Sequence, residues 1–408
     1  MIWSIAWRNI WRNKLRSGVV ITAIALGIFA GVFSMAFMRG MANQRLESAI
    51  KTQVSDIQVH SPAFMKVNDI KNYFTGSDTL LQNIDTMSGV VASSRRLIVN
   101  AIINSAEKGS GVKLYGVEPD VEKKVTDLNT KLIDGNYLES LKTGRPILVG
   151  HKLAGKLGVK LGSKLVVGML DANGYPIYYQ FRIGGIFKTA STPFDESNAF
   201  VRYSDLRDIT SLPKNTAHEV AVYLKDNDYS KRVANEIEKV RPGLNVQEWF
   251  QVMPELSYLT ESMDYYMYIF IIIILLALGF GIVNTMLMVV LERVKELGML
   301  MAVGMNKRRV FAMIMLETVF LSITGGIVGI IVGTAVAGFF HTHGLNLSGL
   351  YGEGFSALGY DSIIYTVVQP QMIVMTAILV IITGILSSVY PAVKALHLNP
   401  ADAIRTDA

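Results

Sequence analysis

No cysteine occurs among the 408 residues, which removes disulfides, thiol nucleophiles and Cys-ligated metals from consideration. Charge is also scarce. Asp, Glu, Lys and Arg make up 18% of the chain, against about 25% in soluble domains, while hydrophobic residues reach 50%. That balance points to a membrane protein. The net charge of +6 carries no nucleic-acid signal, because residues 52–255 hold 25 Lys/Arg against 23 Asp/Glu. The remaining 14 basic and 10 acidic residues lie mostly in short flanks of apolar runs, where basic residues report orientation in a bilayer. No nucleic-acid partner is expected.

Four stretches lack charge altogether: Gly18–Met38, Tyr265–Leu291, Thr318–Phe340 and Met372–Val393. A hydrocarbon core of about 30 Å needs about 20 helical residues, and a backbone in lipid must satisfy its own hydrogen bonds, so each reads as a spanning helix. The first run exceeds a signal-peptide core of about 7–15 residues. His341–Gln371 has no Lys or Arg, whereas Arg8, Arg12, Lys14 and Arg16 precede the first span. Arg293, Lys295, Lys307, Arg308 and Arg309 follow the second. The positive-inside rule then places both termini and residues 292–309 in the cytoplasm and the long middle segment outside.

The expected organisation is a membrane α-helical protein with four transmembrane helices in a 1 + 3 arrangement and a large extracytoplasmic α+β domain between the first two. Residues 1–17 form an interfacial amphipathic helix, since Trp3, Trp7 and Trp11 recur every four residues on one face. Residues 18–53 are the first span and a stalk, 54–247 the outer domain, with a division into two lobes near 120–135, and 248–291 a second stalk and span. A cytoplasmic loop (292–309), a third span (310–340), an outer loop (341–371), a fourth span (372–393) and a tail (394–408) complete the chain.

The outer domain shows strand signals at Asp56–His60, Leu97–Asn104, Val112–Val117, Pro146–Val149, Lys164–Leu170 and Tyr178–Phe187. Helical signals lie at Leu153–Leu157 and Tyr229–Val240. Asp171-Ala-Asn-Gly174 marks a hairpin. Without a regular βαβ alternation, the sheet should be antiparallel or mixed.

Other motifs are weaker. Gly150-His-Lys-Leu-Ala-Gly155-Lys156-Leu157 approaches a phosphate-binding loop, but Leu157 stands where Ser or Thr must hold magnesium, so a strand–turn–helix corner is the better reading. His341 and His343 are a close pair in a Gly-rich loop with no carboxylate before Glu353, which favours a solvated loop over a metal site. Gly27 and Gly31 form one GxxxG step and Gly325, Gly329 and Gly333 two more, the spacing of close helix packing. Glu317 is the one charge inside an apolar stretch, which leaves pairing and a coupling role both open. Residues Glu292–Arg309 read as a charged turn ending at Gly298, then a short apolar helix stopped by Gly304, a shape suited to a partner's cleft.

These residues carry a resemblance. Asn284-Thr-Met-Leu-Met, Glu292-Arg293, Lys295-Glu296, Gly298 and Ala302-Val303-Gly304 look like the signature of the FtsX/MacB-type ABC transporter permease family. Tyr390-Pro391-Ala-Val-Lys394-Ala395, Asn399-Pro400-Ala401 and Ala403-Ile404-Arg405 resemble its C-terminal motif. Ala6-Trp7-Arg8-Asn9-Ile10-Trp11-Arg12-Asn13-Lys14 resembles its N-terminal segment. Gly116-Val117-Glu118-Pro119 and Ile147-Leu148-Val149-Gly150 match its MacB-like periplasmic domain loosely.

The resemblance implies a non-catalytic inner-membrane subunit that pairs with a second copy or a paralogue on a dimer of cytoplasmic ABC ATPases. ATP and Mg would be held by those ATPases, with no cofactor on this chain. Glu292, Arg293, Lys295, Glu296, Gly298 and Gly304 would form the coupling helix, and Tyr390, Pro391, Lys394, Pro400 and Arg405 the C-terminal motif. Motion would pass to the periplasmic domain by mechanotransmission, as in type VII ABC transporters. Size and the segment Met38-Arg-Gly-Met41…Asp56-Ile-Gln-Val-His60 are similar to the LolC/LolE lipoprotein-releasing group. Its cargo would meet an apolar stalk at Met41, Leu46, Ile50, Leu256 and Leu259 and pass to a periplasmic chaperone or adaptor. MacB-like efflux of drugs or peptides and FtsX-like regulation of envelope enzymes are the alternatives within the family. A passive sensor or adhesin on an anchor is the alternative outside it, although one span would suffice for that role.

Overall fold

The structure, a computed structural model, describes residues 2–139 and 144–396. It divides into two compact units.

The first unit comprises, of the described residues, 2–42, 261–346 and 363–396. Its helices are drawn from α1 (Ile2–Arg12), α2 (Lys14–Ala49), α3 (Pro254–Glu292), α4 (Val294–Ala302), α5 (Lys307–His343) and α6 (Pro370–Leu396). Four of these, α2, α3, α5 and α6, are long and apolar enough to cross a membrane. Ile24, Ile28 and Val32 of α2, Ile271 and Leu275 of α3, Leu321 of α5 and Val380 of α6 share one core.

Lipid tails are as apolar as Leu, so helix association in a bilayer depends on close packing at small residues. The glycine steps supply it within this chain. A Cβ at Gly325 would lie 2.8 Å from the Ile24 Cβ, at Gly329 2.7 Å from the Ala25 carbonyl oxygen, and at Gly333 3.0 Å from the Val32 Cβ. Gly27 and Gly31 face α3, where a Cβ would meet Leu278 at 2.6 Å and Ile271 at 2.7 Å.

Two expectations here are corrected. Gly298 does not end a turn. The helical break falls at Arg293 (φ −102°, ψ 16°), and Gly298 is buried inside α4. Leu297 beside it is buried in the core that also holds Val310 and Met313 of α5, and that burial favours helix over an exposed turn. Nor are His341 and His343 in an open loop. They end α5, where His341 Nδ1 lies 2.7 Å from the Thr366 carbonyl and the His343 ring stacks on Phe339 at 4.2 Å. No metal-binding cluster occurs among the described residues.

The second unit comprises, of the described residues, 43–260 and 347–362. It is built on a ten-stranded sheet. The strands are β1 (Ile57–His60), β2 (Val90–Asn104), β3 (Gly109–Val117), β4 (Leu132–Gly135), β5 (Arg145–Gly150), β6 (Lys164–Leu170), β7 (Pro176–Phe187), β8 (Asn198–Arg202), β9 (Glu219–Leu224) and β10 (Asn245–Glu248). Their order is β10-β1-β9-β2-β3-β8-β5-β7-β4, with β6 pairing β2 and β7. The sheet is mixed, since β3–β8 and β5–β7 are parallel and the other pairs antiparallel. In β5, Ile147 and Val149 enter one core and Leu148 another, because the strand is covered on both faces. In β6, burial alternates along Lys164–Leu170, as one covered face requires.

The division expected near 120–135 is absent. Residues 119–131 are a short helix and a 3₁₀ turn leading into β4 of the same sheet. The two largest cores of this unit instead separate the middle strands from β1, β9 and β10, because sheet pairing brings distant chain segments side by side. Residues 246–264, which include the stalk expected from residue 248, are not one continuous helix. They begin in β10, pass through a short helix Trp249–Val252 and enter α3 at Pro254, a residue suited to the first helical turn because it lacks an N–H. The glycine-rich corner is a packing device. Gly150 leads directly from β5 into the helix His151–Leu157, and a side chain there would collide with the Asp195 backbone.

Candidate functional site

The turn between α3 and α4 gathers side chains from three chain segments of the first unit. The N-terminal segment breaks at Asn13, where the Ser17 hydroxyl donates to the Ile10 carbonyl at 2.6 Å. Ala6 and Ile10 are buried, and the rings of Trp3 and Trp7 meet Phe320 of α5 edge-on at 5.6 Å each. This packing presents Asn9, Arg12 and Arg16 toward the turn. At the other end, Gly304 (φ +101°) stops α4, and Asn306 caps α5 by accepting from the Arg308 N–H at 3.1 Å.

Asn9 Nδ2 donates to Glu317 Oε1 at 2.6 Å. Arg293 Nη1 donates to both Glu317 oxygens at 3.1 and 3.2 Å, and its Nε donates to Glu296 Oε2 at 3.0 Å. Arg12 Nη2 reaches both oxygens of Glu296 at 2.6 and 2.7 Å, and Arg16 pairs with Glu292. These groups line a cavity of about 320 Å³. Its three guanidiniums and three carboxylates balance. The hydrogen bonds from Arg12 and then Arg293 hold the Glu296 carboxyl below the usual range. The arrangement is a charge-matched joint, with no nucleophile paired to a base.

The structure thus brings Glu292, Arg293 and Glu296 together, with Lys295 on the exposed side of the same helix. Glu317 is paired. Asn9 and Arg12 stood in the sequence only within the N-terminal motif and Arg16 only as positive charge, with no sign of their partners, because Glu317 lies 308 positions from Asn9 and Glu296 284 from Arg12. On α6, Pro391 is buried while Tyr390 and Lys394 are exposed. Pro400 and Arg405 lie outside the described residues. In the second unit, Leu46, Ile50 and Leu256 pack with Ala49, Val54 and Trp249 in one small core. Leu256 is fully covered there and presents no free stalk surface. Met41 of the first unit and Leu259 of the second are each half-buried.

The second unit also holds a buried polar cluster with no sequence signal. Arg96 donates to Glu122 at 2.6 Å and to Glu219 at 2.7 Å, and Ser94 donates to Glu122 at 2.7 Å. His60 lies 3.6 Å from Glu219.

The MacB-like periplasmic core domain family matches residues 17–240 and the FtsX-like permease C-terminal family residues 268–400. The chain is 23% identical to the lipoprotein-releasing system transmembrane protein LolC of Neisseria meningitidis, over 88% of each chain. It is 32% identical over 163 residues to the macrolide export ATP-binding/permease protein MacB of Chlorobaculum tepidum, covering 40% of this chain and 22% of that one. It is 22% identical to the uncharacterized ABC transporter permease YknZ of Bacillus subtilis, over 74% of each. With four helices able to span a bilayer, a MacB-like periplasmic domain and an FtsX-like C-terminal half, the chain belongs to the FtsX/MacB family of ABC transporter permeases, whose members imply an ATPase partner.

Proposed function

We propose that the chain is the non-catalytic membrane subunit of an ABC transporter acting by mechanotransmission, and that it extracts lipoproteins from the inner membrane for transfer to the outer membrane. In this reading α2 crosses alone and α3, α5 and α6 cross after the periplasmic domain, a 1 + 3 arrangement with both termini and residues 292–309 in the cytoplasm. The observation that carries the transporter reading is α4. It is a short helix between two long apolar ones, and Met299, Leu300 and Val303 at its tip are exposed, Val303 by 84%. Exposed apolar side chains on a charge-anchored helix suit a partner's cleft, here that of an ATPase holding ATP and Mg.

The cargo reading rests on similarity to LolC along 88% of both chains. A second copy or paralogue completes the membrane part, and a periplasmic chaperone or adaptor receives the cargo. Leu46, Ile50 and Leu259 of the second unit provide half-buried apolar surface for acyl chains, Leu46 and Ile50 sharing a core with the buried Leu256, and Met41 of the first unit is half-buried as well. Efflux is the second reading, favoured by the 32% identity to MacB over 163 residues.

Depletion in the native host, followed by membrane fractionation, tests the cargo. Lipoproteins should accumulate in the inner membrane. An unchanged distribution together with raised drug sensitivity would move the assignment to efflux. Met299→Asp with Val303→Asp should abolish co-purification of the ATPase, and retained co-purification would remove α4 from the coupling role.

A further inference from the structure

Glu317 stands alone in α5, with no other Asp, Glu, Lys or Arg between Arg309 and His343. It lies ten residues beyond Lys307, about 15 Å along the helix, and only 4% of it is exposed. A carboxylate at such depth is costly unless paired, so a residue that merely filled space would be apolar. Glu317 instead accepts from Asn9 at 2.6 Å and from Arg293 at 3.1 Å. Arg293 is the residue at which α3 breaks and α4 begins. Through Glu296 the contacts return to Arg12, one turn from Asn9 on α1. The ring Asn9–Glu317–Arg293–Glu296–Arg12 therefore closes on α1. Its Arg12–Glu296 side is exposed and its Glu317–Arg293 side is buried, which makes Glu317 the strong link.

The geometry points to Glu317 as a positioning residue for the coupling helix. It fixes Arg293 and so the angle at which α4 leaves α3, and through Asn9 it ties α1 to α4 so that the two move as one body. This inference rests on the coupling role proposed for α4.

The absence of cysteine permits spin labels at Arg8→Cys and Ala302→Cys, both exposed positions, on the full chain in lipid nanodiscs. The wild-type distance distribution should be narrow. Glu317→Gln and Arg293→Gln should each widen it about twofold, and the double variant should add little. In the complex carrying its co-purified ATPase, Glu317→Gln should lower cargo moved per ATP roughly tenfold, the loss of a charged hydrogen bond, while leaving KM for ATP unchanged. A narrow distribution in both Glu317→Gln and Glu317→Leu would reduce Glu317 to packing and overturn the inference. The distances require no ATPase, so a chain that binds none would defeat the proposed function without altering this readout.

Discussion

The imidazole of His218 joins two backbone segments of the outer domain, with Nδ1 accepting from the Ile98 N–H at 3.1 Å and Nε2 donating to the Ile70 carbonyl at 2.8 Å. The contact from Ile98 requires the neutral ring, because a protonated Nδ1 cannot accept. Burial lowers its pKa to about 4, against a weaker opposing effect of the Ile70 hydrogen bond.

The lowered pKa has a definite sign in stability. The unfolded chain takes up a proton near pH 6.5 and the folded chain only near pH 4, so stability rises with pH across that window. A shift of that size corresponds to about 3 kcal/mol. Protection of the Ile98 amide in hydrogen exchange, corrected for intrinsic rate, should increase between pH 4.5 and 6.5 and level off above. His218→Gln should flatten this rise. His60, whose pKa burial also lowers, leaves a residual slope in the variant. An unchanged slope in His218→Gln would show that the ring is not the titrating group.

At Gly329 the backbone of α2 leaves no room for a side chain, since the Ala25 carbonyl oxygen cannot rotate away as a side-chain tip would. Gly329→Ala should cost about 1–3 kcal/mol through overpacking. Gly338→Ala, with nothing within 4 Å of the added carbon, should stay within about 0.5 kcal/mol. Thermal unfolding in nanodiscs compares the two, and equal losses would remove close packing as the reason for the glycine.

Arg96, Glu122 and Glu219 are each almost wholly buried. Removing Glu122 leaves the Arg96 Nε and Nη2 donors and the Ser94 hydroxyl without that partner in the interior, so Glu122→Ala should cost about 3 kcal/mol. Arg96→Met with Glu122→Leu and Glu219→Leu should recover much of that loss. Fluorescence of Trp249, with Trp3, Trp7 and Trp11 changed to Phe, follows unfolding of this unit. A loss in the triple variant as large as in Glu122→Ala would argue that the triad supplies net stability of its own.

Much of this architecture was legible in the sequence because it rests on local patterns. Uncharged runs of twenty residues give the helices able to span. The four-residue spacing of Trp3, Trp7 and Trp11 gives α1. Alternation gives Lys164–Leu170, which matches β6 residue for residue. The errors fell where tertiary contact overrides a local signal. Gly298 reads as a breaker, yet it lies beside Leu297, which is buried in the core, and stays helical. Residues 120–135 read as a boundary, yet the sheet continues through them.

The sequence by itself determined which segments are apolar, how long they are and where the motifs of the permease family lie. All of these are properties of neighbours along the chain. Only the tertiary structure decided that Glu317 is paired, that Asn9 and Arg12 share its joint, that Arg96 holds two carboxylates, and that the glycine steps face helices of this same chain. Asn9 and Glu317 are 308 positions apart, and so distant a hydrogen bond leaves no trace in composition or spacing. It exists because burial removes water, and a polar group deprived of water must find its partner in the fold.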